Sequence, residues 1–389
     1  MRVDLDSLGT FNRIGTAGAA RAADALSTLT GLDTTVETTR INFAPVEDLS
    51  TPVDDDATAV SIQFEGGLRG HALLVFDAES AEHVLAELDG AGHDPDSAAL
   101  EEVTNIVTSG FVDGWADHLD ATIDISTPTA LEEAPPGTRL PTLDGFSFVF
   151  QSELLVEGPG HGATFHLLPD STQFLETIDE AGDGAGDRAV GVPELSAFIR
   201  LTAAGGETVA ENLGAMTGIE TDVAVSHLQF VPIEDVPRVV PAEQYTGTVF
   251  QFSGAMAGYL AVLFETDAAD AIAAAMAPGE TIGESMRQSA LEEIGNVIAS
   301  SFIDGWANAL DTTIDHSVPD FVDDMGRAVL ESVAARLART QEFAFVFDVA
   351  ITADAPTSCR VFAFPDQSDF RSVVSALDED LDVSTIERV

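Results

Sequence analysis

At two places the 389-residue chain sets a carboxylate and a carboxamide three residues apart: Glu102 with Asn105, and Glu293 with Asn296. On a helix, residues i and i+3 lie on one face, so both side chains of a pair can enter one cleft together. The carboxylate only accepts hydrogen bonds and attracts cations, whereas the carboxamide both donates and accepts and adds no charge. A single pair of this kind ordinarily serves solubility. Here the surrounding string recurs: ALEEVTNIVTSGFVDGWADHLDATIDISTP returns as ALEEIGNVIASSFIDGWANALDTTIDHSVP, and residues 98–128 and 289–319 are identical at 18 of 31 positions. Ala98 has become Ser289, Val103 Ile294 and Thr104 Gly295, while the Glu, the Asn and a proline 23 positions beyond the Asn have kept their places (Pro128, Pro319).

The elements that must carry these residues follow from the apolar spacing. Leu100, Val103, Val107, Phe111 and Trp115 recur at three or four residues, as do Leu291, Ile294, Ile298, Phe302 and Trp306. Each set predicts one buried helical stripe, with Glu102, Asn105 and Ser109, or Glu293, Asn296 and Ser300, on another face. Trp115 and Trp306 lie on the stripe and are expected in the core. TIGE at 281–284 reads as a capping box, and Asp94 followed by Pro95 as the start of the other helix.

The repeat extends outward. INFAPVEDL from Ile41 matches LQFVPIEDV from Leu228, and FSFVF from Phe146 matches FAFVF from Phe343. The duplication therefore spans whole domains, expected at 1–180 and 192–389, with the Gly- and Asp-rich stretch 181–191 as linker. Alternating segments around Gly66 and Gly67 predict a hairpin followed by a short helix at 78–90, repeated at 247–265 and 267–279. GPGHG at 158–162 predicts a hairpin turn. The fold class is α+β, two tandem domains, each an antiparallel sheet packed with long helices on one side.

The sixteen cations are all Arg against 67 acids, a formal charge of 16 − 67 = −51 with no Lys. An apolar core under such a surface is the composition expected of a halophilic protein, adapted to concentrated salt: the shell repels itself in dilute buffer and is screened in molar salt. Nucleic acid is an improbable partner, since phosphate contacts need clustered cations. Asp54, Asp55 and Asp56 fit a solvated loop. Cys359 stands alone, so neither a disulfide framework nor a thiolate metal site is available. With no signal-like segment and no membrane-length apolar run, the expected location is cytoplasmic, without membrane insertion.

The repeated motif resembles the signature of the CheC/CheX/FliY phosphatases of chemotaxis: Asp or Ser, three residues, Glu, two residues, Asn, twenty-two residues, Pro. Ser289, Glu293, Asn296 and Pro319 fit all of it. Glu102, Asn105 and Pro128 fit all but the first position, where Ala98 stands, so the second centre is expected to be the stronger. CheC-type domains usually carry a related helix near their start. Here RIGTAGAARAADALSTLTG puts Arg13 and Thr16 in place of that Glu and Asn, with no proline at Thr39, and the second domain has Arg200 and Ala203. Each domain thus resembles one that keeps one centre and has lost the other. Arg13 and Arg200 are expected to pair with acidic neighbours.

The resemblance implies hydrolysis of the aspartyl phosphate on the response regulator CheY. The Asn would orient the attacking water, and the Glu would pair with the regulator's active-site Lys. The Mg²⁺ would come with CheY, so that no cofactor of its own is needed. A CheD-type deamidase is a second implied partner, and a non-catalytic adaptor binding phosphorylated CheY is the alternative function.

Other chemistries fare worse. His71, His83, His93, His118, His227 and His316 are scattered, and His161 and His166, five apart, would fall on opposite faces of a strand. No GxSxG elbow is present. Gly182, Gly184 and Gly186 lack the GxGxxG spacing and a preceding strand.

Overall fold

The computed structural model describes residues 2–45, 57–89, 97–131, 145–157, 161–181, 189–218, 221–224, 228–277, 282–353 and 359–377. They fall into two compact units, Arg2–Arg188 and Ala189–Val389. Of the stretch expected as a linker, 182–188 lies outside the described residues, and Ala189–Gly191 is extended. The stretches around Asp54, Asp94 and Gly158 and the residues His93 and His227 lie outside them as well.

The first unit runs β1 (Arg2–Asp4), α1 (Leu5–Thr30), β2 (Thr34–Pro45), β3 (Thr58–Gly66), β4 (Gly70–Phe76), α2 (Ala78–Asp89), α3 (Ser97–Leu119), β5 (Ile123–Ile125), β6 (Thr129–Leu131), β7 (Phe146–Val156), β8 (Gly162–Pro169) and α4 (Ser171–Ala181). Its antiparallel sheet has the order β2-β7-β8-β4-β3, and the short strands β5 and β6 follow one another along the outer edge of β3.

After β9 (Ala189–Gly191), the second unit repeats the order: α5 (Val192–Thr217), β10 (Thr221–Ala224), β11 (Leu228–Pro232), β12 (Gln244–Gly254), β13 (Gly258–Glu265), α6 (Thr266–Met276), α7 (Glu284–Ala309), β14 (Ile314–His316), β15 (Asp320–Met325), α8 (Gly326–Leu337), β16 (Phe343–Ala353), β17 (Cys359–Pro365) and α9 (Gln367–Val374). Its sheet is β11-β16-β17-β13-β12, with β14 and β15 along the outer edge of β12.

Both apolar stripes are buried: Leu100, Val103, Val107, Phe111 and Trp115, and their five counterparts on α7, are all in the core. The same aromatic cluster forms twice. Phe11 lies 5.7 Å from Trp115 and 5.3 Å from Phe174, and Phe198 lies 5.7 Å from Trp306 and 5.4 Å from Phe370. In the second unit a further apolar layer covers the other face of the sheet, where α8 and a 3-10 turn at Ile233–Val239 pack Val333, Leu337 and Val236 among Val346, Phe362 and Phe364. The expectation of helices on one side is therefore too narrow for this unit.

The two long helices of each unit cross at paired glycines. A Cβ on Gly114 would sit 3.0 Å from the Cα of Gly18, and one on Gly305 would sit 3.8 Å from the Cα of Gly205. Backbones this close hold the motif-bearing helix at a set depth on the sheet.

One expectation at a helix start fails. α7 begins at Glu284 with extended Gly283 as its N-cap and no side-chain cap, which leaves Thr281, outside the described residues, two positions too early for a capping box.

The two tryptophans differ in one hydrogen bond. Trp306 Nε1 donates to Thr202 Oγ1 at 3.1 Å, whereas the buried Nε1 of Trp115 has no partner among the described residues, because Gly15 stands where Thr202 does. Trp306→Phe is therefore expected to cost about 1 kcal/mol more than Trp115→Phe. Thermal unfolding of the two variants in molar KCl measures the difference, and equal losses would show that the indole N–H contributes nothing in either unit.

Candidate active site

The path from α3 to Pro128 explains how residues so far apart in sequence meet. From Asn105 the helix runs fourteen residues to its end at Leu119, about 21 Å at about 1.5 Å per residue. Asp120 then takes a left-handed conformation (φ 47°), and Ala121 N–H bonds back to Ala116 O at 3.1 Å, closing the helix. Asp can occupy this region, though glycine does so at less cost. From Thr122 the chain returns along β5, and six residues at about 3.3 Å bring it back about 20 Å, to the level of Asn105. Asp311 (φ 47°), with Thr312 N–H on Ala307 O at 2.9 Å, turns α7 into β14 in the same way.

Pro128 sits where the edge ladder is interrupted. Ile125 pairs with Phe64 and Thr129 with Ser61, so three residues, 126–128, stand opposite two, Gln63 and Ile62. This is a β-bulge, and it suits proline, which has no N–H to give to a ladder. Ser126 N–H donates to Gln63 O at 2.8 Å, and the Ser126 hydroxyl accepts from Gln63 N–H at 3.0 Å. The second copy is built alike: Phe252 pairs with His316 and Val249 with Asp320, while Ser317 N–H meets Gln251 O at 2.8 Å and its hydroxyl accepts from Gln251 N–H at 3.1 Å.

The result in the first unit is a cleft of about 460 Å³, open to solvent, between α3 and the bulge. Glu101, Glu102 and Asn105 line one wall, and residues 125–128 the other. Glu102 is exposed and Asn105 half-buried, as are Glu293 and Asn296 on α7. The structure thus gathers the first pair and its proline at one place. Ser289 is exposed on α7 a turn before Glu293, and Ala98 lies on α3. An exposed carboxylate beside a partly buried carboxamide can hold a cationic group at the rim and orient a small polar molecule within.

Sequence reasoning passed over Ser126 and Ser317, Gln63 and Gln251, and Glu101. The available signal was Ser-x-Pro, present in both copies. Arg13 and Thr16 lie on α1: Arg13 donates to Thr10 Oγ1 at 3.1 Å, Thr16 to Asn12 O at 3.0 Å, and Thr39 is buried in β2, bonded to Ser152.

No group of His, Cys, Asp or Glu able to hold a metal occurs among the described residues. His166 is a half-buried strand histidine whose pKa desolvation, aided by Arg40, pushes down to about 4. His83 and His161 stack at 4.7 Å, a pairing unforeseen from their spacing. Burial raises the Cys359 thiol to about 12, which leaves it unreactive. No described helix is long and apolar enough to cross a membrane.

The model of the CheC-like family matches the chain twice, at residues 96–132 and 286–322, each span running from the start of the motif helix past the bulge. "Putative CheY-P phosphatase CheC1" of Halobacterium salinarum is 32% identical over 195 residues, 48% of this chain and 98% of that protein. The chain belongs to the CheC-like family. The "CheY-P phosphatase CheC" of Bacillus subtilis is 31% identical over 102 residues, 25% of this CheC-like chain and 49% of that protein. The crystal structure of Thermotoga maritima FliY is 22% identical, covering 46% of this chain and 97% of that one, with a TM-score of 0.35. Each CheC-like match centres on one helix and the bulge that faces it.

Proposed function

We propose that this CheC-like protein hydrolyses the aspartyl phosphate of the response regulator CheY, with one centre at Glu102 and Asn105 and a second at Glu293 and Asn296. The observation that carries the proposal is the common cleft of Glu102, Asn105 and Pro128, together with the same helix and bulge in the second unit. The names of the two similar CheY-P phosphatases support it.

The chemistry asks little of the protein beyond position. An aspartyl phosphate is already activated, and the regulator brings its own Mg²⁺, so that the missing part is a water held in line with the bond to the leaving oxygen. The Asn carboxamide oxygen accepts from that water, its NH₂ donates nearby, and it adds no negative charge beside the phosphoryl group. The neighbouring Glu pairs with the regulator's active-site Lys, a charge-assisted contact of about 1.5 to 3 kcal/mol before desolvation costs. The protein supplies no cofactor.

The test is phosphate release from CheY charged with acetyl phosphate in molar KCl, with and without the protein. Acceleration in proportion to protein concentration is expected. Binding of phosphorylated CheY with no acceleration would make the protein an adaptor instead.

A further inference from the structure

The two copies of the motif differ at one bridging position. Ser109 and Ser300 each stand one turn after the motif Asn. In the first copy Ser109 Oγ donates to Asn105 O at 2.7 Å, and the strand residue at the end of β5 is Ile125, which can form no side-chain hydrogen bond. In the second copy that strand residue is His316, and Ser300 Oγ lies 3.0 Å from its Nε2. His316 Nδ1 lies 3.0 Å from Ser317 O, the carbonyl at the start of the bulge. Since a carbonyl only accepts, Nδ1 carries the proton, and in the neutral ring Nε2 accepts from the Ser300 hydroxyl. Every donor in the chain from Ser300 to Ser317 O is matched. The ring stands edge-on to the buried Phe250, with centroids 5.6 Å apart, so its orientation is held as well.

From this we infer that His316 is a positioning residue of the second centre, fixing the bulge that carries Pro319 at a set distance from the Asn296 turn of α7. The inference rests on the phosphatase reading. In the first cleft Ser126 and Gln63 tie the bulge to its own sheet edge, and Ile125 offers the helix no side-chain hydrogen bond. In the second, the equivalent tie to Gln251 is joined by a side-chain bridge to the helix. A wall held in this way favours the in-line geometry of the bound water and acts on the chemical step more than on capture.

The experiment isolates the second centre in an Asn105→Ala background and measures kcat and KM in molar KCl for that protein, for His316→Ile, for Ser300→Ala and for the pair together. Either single change is expected to lower kcat about three- to tenfold with KM within about twofold, and the pair no further, since each breaks the same bridge. Ser300→Ala leaves the ring packing in place and serves if His316→Ile fails to fold. In the reciprocal Asn296→Ala background, Ile125→His should raise kcat of the first centre. Unchanged kcat in both single variants, losses that multiply in the pair, or losses that track a falling melting temperature would overturn the inference. If the Asn105→Ala background turned over nothing while Asn296→Ala did, the second centre would be silent and the inference void; if neither did, the phosphatase reading itself would fail.

Discussion

Replacing Asn105 and Asn296 together by alanine is expected to return CheY-phosphate hydrolysis to the regulator's own rate, a fall of about a hundredfold or more, while folding and regulator capture persist. Both carboxamides are half-buried, on helices whose apolar stripes are packed in the core. Alanine is the best helix former, so the change costs the helices nothing in propensity. The glutamates stay in place, and with them the contact assigned to capture. What goes, on the proposed mechanism, is the group that would hold the water, and misplacing a reacting group by about 1 Å can by itself cost about a hundredfold. Single-turnover decay of phosphorylated CheY gives the rate, and titration with a non-hydrolysable activated regulator gives the affinity. A double variant as fast as the parent would end the enzymatic assignment; one that had also lost affinity would recast the same residues as a docking surface.

The second large effect concerns salt. Dialysis from molar KCl into dilute buffer is expected to unfold the protein, and restoring the salt to refold it. At about 1 M the Debye length is about 3 Å, and at about 0.1 M it is about 10 Å, comparable to the spacing between charges on one helix. The motif helices show why this matters. α3 exposes Glu102, Asp113 and Asp117, and α7 exposes Glu284, Glu293 and Asp304, in a chain whose net charge is −51. On the motif helix itself ion pairing relieves little: Arg21 with Asp117, at 2.8 Å, joins two exposed side chains, and such pairs contribute at most about 1 kcal/mol. Stability therefore rests on the buried stripes, opposed by repulsion that only mobile ions reduce. Far-UV circular dichroism across a KCl series is the measurement, and a spectrum unchanged down to dilute buffer would refute the reading of the composition as salt adaptation.

How far the sequence revealed the molecule depends on the range of each interaction. The helical stripes were legible because every member of a stripe is within four residues of the next. The hairpins at 58–76 and 244–265 were legible because their alternation is local. The bulge was not, since it depends on pairing Ser126 with Gln63 and Ser317 with Gln251, residues some sixty positions away. The exchange of Thr104 for Gly295 was visible between the copies but had no evident cause. In the structure a Cβ on Gly295 would run into the Thr248 hydroxyl of β12, so the exchange answers a neighbour on the sheet. The expected capping box was misplaced because the pattern matched while the backbone put Gly283 at the cap. The site pair itself is legible in the recurrence of Glu and Asn at one spacing and its chemistry through the family resemblance, whereas its proline has a reason only where the edge strand breaks.

The outward helix and returning strand act as a molecular vernier, two scales of different pitch read against each other. Lengthening the helix by one residue moves its end about 1.5 Å and rotates it about 100°, while one strand residue moves the return about 3.3 Å and flips its face. No insertion of one or two residues keeps both readings aligned. The smallest that does adds about four residues to the helix, about 6 Å and a little over one turn, and two to the strand, about 6.6 Å with the face preserved. The interval of twenty-two residues between Asn and Pro is thus a commensurate length, and the next one is about twenty-eight. A variant of α7 and β14 extended by four and two residues should retain the second centre's turnover in an Asn105→Ala background, and one extended by a single residue in either element should lose it; the opposite order of activities would show that the bulge, and not the ruler behind it, sets the position of the proline.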